Sequence, residues 1–270
     1  MVRPPPAAAR ARTRVVVIAF DDVHKHFHDP DGREIVAVRG LDLVVRTGET
    51  HCLIGTSGCG KTTTLRMVNR LDTPSRGRIL VGGQNVADAD VFELRRNIGY
   101  VIQSGGLFPH LTVAENVGIM CALEGWPRAR IDARVSELLD LVALQPSEFG
   151  ARLPSELSGG QQQRVGVARA LALDPDYVLM DEPFGALDPI TRTQLHAEFG
   201  GLLEQVHKTV LLVTHDLGEA FSLGDRVTLM HRGELVQTGT RDDLVSNPAT
   251  PFVSEFLASF DGGTLDDASR

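Results

Sequence analysis

Aromatic residues are scarce, with Phe, Tyr and Trp at 5% of 270 residues. That excludes a base-stacking platform for nucleic acid. Positive charge is in deficit too. Lys and Arg total 27 against 35 Asp and Glu, a formal net charge of −8, which argues against tight non-specific nucleic-acid binding. No stretch reaches the ~18–20 apolar residues of a membrane span, and the longest obvious run is only Val15 to Phe20. The start, MVRPPPAAARARTR, has no apolar h-region and so reads as no secretory signal. Cys52, Cys59 and Cys121 are odd in number and form no C-x-x-C pair, so they read as reduced cytosolic thiols rather than a disulfide framework.

What is present is an ordinary globular composition, 42% apolar and 23% charged. Residues 1–14, rich in Pro, Ala and Arg, read as a mobile extension or as a start codon placed too early. From Val15 to about Leu53 the pattern is strand-like, with two extended runs around the turn-rich His28-Asp29-Pro30-Asp31-Gly32. Thr50 to Ile54 is a short buried-strand pattern, and Lys61 to Leu71 has helical spacing. Arg78 to Val81 and Ile98 to Ile102 read as further strands. Ile131, Val135, Leu138, Leu139 and Val142 then form the stripe of an amphipathic helix with Pro127 before it. A second helix is expected from about Gly160 to Leu173, stopped by Pro175. Strands return at Tyr177 to Met180 and Val210 to Thr214, with a helical stripe between them from Leu195 to Val206. Asp188 suits its N-cap and Pro189 its first position. Arg226 to Met230 and Glu234 to Val236 flank His231-Arg232-Gly233 as a hairpin. The last ten residues read as frayed.

Three motifs carry chemistry. Gly55-Thr56-Ser57-Gly58-Cys59-Gly60-Lys61-Thr62 is G-x-x-x-x-G-K-[ST], a Walker A loop placed between an apolar strand and a helix. Its glycines let backbone N–H groups wrap a phosphate at the helix N-terminus. Lys61 is expected to reach the β- and γ-phosphates, and the Thr62 hydroxyl to ligate Mg²⁺. Tyr177-Val178-Leu179-Met180-Asp181-Glu182 has the form of a Walker B strand. A strand tip is a costly place for two carboxylates unless a cation or a reacting water needs them. Asp181 is expected to hold the metal and Glu182 to act as general base. Third, Ser158 of Leu157-Ser158-Gly159-Gly160-Gln161 can cap a helix whose N–H groups the glycines expose. That makes a second anion-binding end, implying either two nucleotides per chain or a site completed by another copy.

LSGGQ between Walker A and Walker B resembles the ATP-binding cassette (ABC) ATPases over roughly residues 15–260. Gln103 matches the Q-loop glutamine, Ala186-Leu187-Asp188 the D-loop, and His215 the switch histidine. The resemblance implies an α/β fold: a P-loop NTPase (RecA-like) core with an N-terminal antiparallel β subdomain and an inserted α-helical subdomain at about 104–173. It implies a single ATPase domain over 15–262, with 263–270 a frayed tail. It further implies a head-to-tail dimer in which ATP on the Walker A loop, from Gly55 to Thr63, is clamped by Ser158, Gly159, Gly160 and Gln161 of the second copy. Gln103 would join the Mg²⁺ shell with Thr62 and Asp181. His215 would contact the γ-phosphate, and Asp188 would lie at the nucleotide. Phe27 occupies the place of the adenine-stacking aromatic, where a tyrosine is commoner. Core packing is the alternative for that ring. His24, His26 and His28 alternate around it, without a Cys or carboxylate at obvious spacing to complete a metal shell.

Single-cassette length, no membrane helices and about a hundred positions between Lys61 and Leu157 leave the detached ATPase subunit of a transporter, most readily an importer. IGTSGCGKTTTLRMVNRL (54–71), LRRNIGYVIQSGGLFPHLTVAEN (94–116), SGGQQQRVGVARAL (158–171) and MDEPFGALDPITR (180–192) are similar to the quaternary-amine importers of glycine betaine, choline and carnitine. Two other readings stand beside it: an importer ATPase for another polar solute such as an amino acid, and a free-standing regulatory ATPase. The implied partners are membrane permease subunits at the cytoplasmic face and, indirectly, an extracytoplasmic solute-binding protein, with no nucleic acid. Leu107, Phe108, Pro109 and Leu111 are apolar in a loop after Gln103, which suggests a docking patch, with a cap over the helical insertion as the alternative. Gly105-Gly106 replaces a bulkier residue of relatives and predicts a looser loop. The sequence stops at Arg270 without the paired regulatory domains many relatives carry, which predicts little direct ionic-strength gating.

Overall fold

A computed structural model describes residues 17–103, 106–185 and 189–261. The expected extension at 1–14, the tail at 263–270, Asp188, Ser104 and Gly105 lie outside these.

Two sheets form. The first is antiparallel, built from β1 (Ile18–His28), β2 (Glu34–Val45), β4 (Arg76–Val81) and the short β5 (Gln84–Asn85), in the order β2-β1-β4-β5. The turn expected at 28–32 joins β1 to β2. The second holds β3 (Thr50–Gly55), β6 (Ile98–Val101), β7 (Tyr177–Asp181), β8 (Thr209–Val213), β9 (Arg226–His231) and β10 (Glu234–Gly239), in the order β10-β9-β3-β8-β7-β6. β6, β7, β8, β3 and β9 are parallel, and β10 returns antiparallel as the expected hairpin. β3, β7 and β8 are buried at every position. This is why β7, β8 and the Cys52-Leu53-Ile54 part of β3 read as apolar runs rather than alternating ones.

Within β3, His51 is fully buried and both its nitrogens are engaged. Nδ1 lies 2.6 Å from Glu49 Oε1 and Nε2 2.7 Å from Thr228 Oγ1. A polar group so deep is tolerated because its hydrogen bonds are made.

Between β6 and β7 the described chain is helical: α3 (Val113–Leu123), α4 (Arg128–Leu141), the four-residue α5 (Pro146–Phe149), a 3₁₀ turn at Pro154–Glu156, and α6 (Gly159–Ala170). Val135, Leu138 and Leu139 of α4 face inward as their spacing predicts. α6 ends at Ala170, three residues before the expected Leu173. Leu171 caps it, and Asp174 turns left-handed at φ 55° before Pro175. The helices pack with one face of the large sheet in one apolar cluster. A second cluster joins the other face to the antiparallel sheet and to α1 (Lys61–Val68). No helix among the described residues is long and apolar enough to cross a membrane.

Parallel strands bring their carboxyl ends to one edge of the sheet, where open α/β sheets bind ligands. Gly55, Asp181, Glu182 and His215 all stand at or just after such ends, and Gln103 follows β6 by two residues.

Candidate functional site: a phosphate cradle beside a three-residue cluster

The loop from Gly55 to Lys61 is fixed by close backbone contacts. Gly55 has φ +144°, and a β-carbon there would lie 2.1 Å from the Met230 carbonyl oxygen. Gly60 has φ +102°, and its β-carbon would meet the Ala37 oxygen at 2.3 Å. The β9–β10 hairpin braces the loop, with the Gly233 N–H donating to the Cys59 oxygen at 3.2 Å. Gly60 caps α1 with no side-chain acceptor. The free N–H groups of that helix end are therefore available to an anion. Lys61 is buried, and its Nζ donates to the carbonyls of Gly55 and Thr56 at 2.8 and 3.2 Å. Its third partner is the Cys59 sulfur at 3.8 Å, and a buried ammonium with no carboxylate among these partners, at an uncapped helix start, fits a phosphate chain. The cavity there measures about 360 Å³ and is lined by Ser57 to Thr63, Ala37, Glu182 and His215.

Gly60→Ala is expected to be severe. The strained φ and the 2.3 Å clash together should cost ~1–3 kcal/mol and abolish the thermal shift that ATP gives the parent chain. Thermal unfolding with and without ATP measures both. A parental melting temperature with an intact ATP shift would show that the loop needs no glycine there.

Thr62 Oγ1 donates to Asp181 Oδ1 at 2.9 Å. Burial pushes the Asp181 carboxyl above the usual range, and the Thr62 hydrogen bond works against that. A hydroxyl and a buried carboxylate side by side are the hard oxygen donors that Mg²⁺ takes, so the pair fits that ion.

Glu182 follows β7 with φ 43°, a left-handed conformation costing ~1–2 kcal/mol for a residue with a side chain. Its N–H donates to the Val213 oxygen at 2.8 Å. One carboxylate oxygen collects the neighbours: Gln103 Nε2 donates to Glu182 Oε2 at 2.7 Å, and His215 Nδ1 lies 3.3 Å from the same atom. Residues following three different strands thus meet at a single oxygen at the edge of the phosphate cavity.

The turn carrying His215 is held by residues that motif reading missed. Thr214 Oγ1 donates to the buried Glu219 Oε2 at 2.7 Å and accepts from the Asp216 N–H at 2.9 Å. Asp216 caps α8 (Leu217–Leu223) through the Glu219 N–H at 2.9 Å. The Asp-x-x-Glu spacing ahead of an apolar helix is the signal that could have found them.

Ser158 caps α6 in a reciprocal box: Gln161 N–H donates to its Oγ at 3.3 Å, and Ser158 N–H donates to Gln161 Oε1 at 2.9 Å. None of Ser158, Gly159, Gly160 or Gln161 lines the phosphate cavity. Phe27 does not line it either. The ring is 36% exposed, belongs to neither buried cluster, and has Lys25 Nζ 4.6 Å from its centroid. The core-packing alternative is therefore set aside. His24 and His26 each have a carboxylate partner, Asp22 and Glu34, and no metal-holding cluster of three or more occurs among the described residues.

Of the Gly105-Gly106 pair, Gly105 lies outside the described residues. Gly106 has φ +49°, a β-carbon there would lie 2.1 Å from Ile102 Cδ1, and its carbonyl accepts from Arg169 Nη1 at 2.7 Å. Asn116, fully buried, holds the following turn by bonds to Phe108, Leu111 and Thr112. Beside it runs an apolar groove of about 410 Å³, lined by Leu71, Tyr100, Ile102, Phe108, Met120 and Leu123 among others.

The family profile described as "ABC transporter" matches residues 38–185, more than half of the chain. The chain belongs to the ABC transporter family. This ABC chain is 54% identical over 221 residues to the choline transport ATP-binding protein OpuBA of Bacillus subtilis (strain 168), covering 82% of this chain and 58% of that protein. It is 50% identical over 221 residues to the glycine betaine uptake system ATP-binding protein YehX of Escherichia coli (strain K12), covering 82% and 71%. The chain thus spans less than two thirds of OpuBA. Its fold matches the ATP-binding cassette MJ0796, solved as a dimer in a post-hydrolysis state bound to ADP and Pi. The TM-score is 0.73 at 33% identity, over 83% of this chain and 98% of that one. That likeness bears out the α/β, P-loop NTPase fold that the ABC motif resemblance implies.

Proposed function

We propose that the chain binds and hydrolyses ATP to drive an ABC importer for a quaternary ammonium osmoprotectant such as glycine betaine, choline or carnitine. The observation that carries the ATPase reading is the meeting of Gln103 and His215 on the Glu182 carboxylate beside an uncapped Walker A helix. Lys61 and the N–H groups of Gly58 to Thr63 hold the phosphates. Thr62, Asp181 and Gln103 would hold Mg²⁺, which would supply neutralisation of phosphate charge. Glu182 takes a proton from water as the water oxygen bonds to the γ-phosphorus and the bond to the β-phosphate oxygen breaks, releasing ADP. His215 keeps that water and the γ-phosphate in line, so most of the rate comes from positioning.

Ser158, Gly159, Gly160 and Gln161 serve the nucleotide of a second copy, Asp188 lies at the nucleotide, and the Phe27 ring stacks on adenine. Two features support this: these four residues lie off their own cavity, and the fold neighbour was solved as a dimer. The apolar groove beside Phe108 suits a permease segment, which would hold the chain peripherally at the cytoplasmic face.

The solute reading rests on the choline and betaine systems that the similar proteins serve. Such cations are held in aromatic cages. We assign that cage to a separate binding protein rather than to this chain. Uptake into vesicles holding the assembled transporter should be ATP-dependent for betaine, choline or carnitine, and proline and histidine in excess should not compete. Uptake of only the amino acids would overturn the solute class. An ATPase that never supports uptake with its permease would favour the regulatory alternative.

A further inference from the structure

We propose that Arg169 is a positioning residue that couples the two ATP sites of the dimer, by tying the C-terminal end of α6 to the loop that carries Gln103. This rests on the head-to-tail reading above. α6 is a rod of twelve residues, about 18 Å long at 1.5 Å per residue. Its first turn, Ser158 to Gln161, faces the partner's nucleotide. Its last turn is locked to the chain's own site by two independent contacts. Arg169 Nη1 donates to the Gly106 carbonyl at 2.7 Å. One residue on, the Ala170 carbonyl sits so close to β6 that a β-carbon on Gly99 would lie 2.4 Å from it.

Gly106 in turn is pressed against Ile102, the residue before Gln103. Any shift of α6 along its axis therefore moves the base of the loop whose Gln103 amide holds the Glu182 carboxylate. Burial disfavours the Arg169 charge, so a hydrogen bond lost there is not readily replaced by water. A nucleotide gripped by Ser158 and Gly160 of one copy is thus reported to Glu182 of that same copy, whose own nucleotide lies across the interface. The rod supplies stiffness, and Arg169 supplies the directional link.

The test uses the full chain with Arg169→Met, which removes the donors, and Arg169→Lys, which restores one. ATPase rate against ATP concentration should give the parent a Hill coefficient approaching 2, the ceiling for two sites. Arg169→Met should bring it close to 1 and lower kcat about tenfold, a modest misplacement penalty, with nucleotide affinity within about twofold of the parent. Arg169→Lys should recover more than half of both. A merely structural arginine would lower the melting temperature without changing the Hill coefficient. If Arg169→Met does not fold, Arg169→Gln, too short to reach Gly106, is read the same way. Parental rate and cooperativity in these variants would overturn the coupling role alone. The dimer is checked separately: a Glu182→Gln chain that stays monomeric in ATP would overturn the shared site and this proposal with it.

Discussion

Glu182→Gln should leave ATP binding intact and lower hydrolysis by at least ~10²-fold, the usual scale for removing a general base. The amide has the size and shape of the carboxyl, and its oxygen can still accept from Gln103, which now lies 2.7 Å away. The backbone strain at φ 43° is the same for either side chain. What disappears is the ability to accept a proton from water. ATP should then remain uncleaved between two copies, and size-exclusion chromatography in ATP should show a dimer that the parent forms only transiently. Turnover at the parental rate would remove Glu182 from the chemistry and leave the cluster around it without a role.

How much of this could be read from the residues varies with the range of the forces involved. The Walker A loop was fully legible because its constraint is local: Gly55 and Gly60 take backbone angles that few other residues adopt, and the Cys52-Leu53-Ile54 run before them is apolar. β7 and β8 were legible for the same reason, each within one residue of its observed ends. α3 was not recognised. Its sequence, Val-Ala-Glu-Asn-Val-Gly-Ile-Met-Cys-Ala-Leu, is apolar nearly all round and shows no 3.6-residue stripe. Its start is marked instead by the Thr112–Glu115 capping box.

The site divides along the same line. Family motifs named Gln103, Glu182 and His215 one by one, but their meeting at a single oxygen depends on the parallel order β6-β7-β8, which pairs residues 79 positions apart. The His51–Glu49–Thr228 seam is another long-range arrangement with no sequence signal, since a lone histidine in an apolar strand looks the same paired or unpaired. Gly106 is a further case: nothing in its sequence neighbourhood announces the Arg169 hydrogen bond to its carbonyl, which joins residues 63 positions apart.

The central claim is that two copies build each ATP site between them, and mixing two inactive variants measures it most directly. Lys61→Ala removes the buried ammonium of the Walker A loop. Ser158→Arg puts a large cation at the N-cap of α6 and breaks the reciprocal box with Gln161. Each variant alone should lose nearly all ATPase activity, because every site in its homodimer carries the defect. In a heterodimer both defects fall on one site, and the other pairs an intact Lys61 with an intact Ser158. Random pairing makes half of the dimers mixed, so activity should return to about a quarter of the parental rate if one intact site turns over independently, and to less if both sites must act together. Recovery well above either variant alone is the predicted result. No recovery, with heterodimers demonstrated by two different affinity tags, would mean that each chain completes its own site, and would contradict the account.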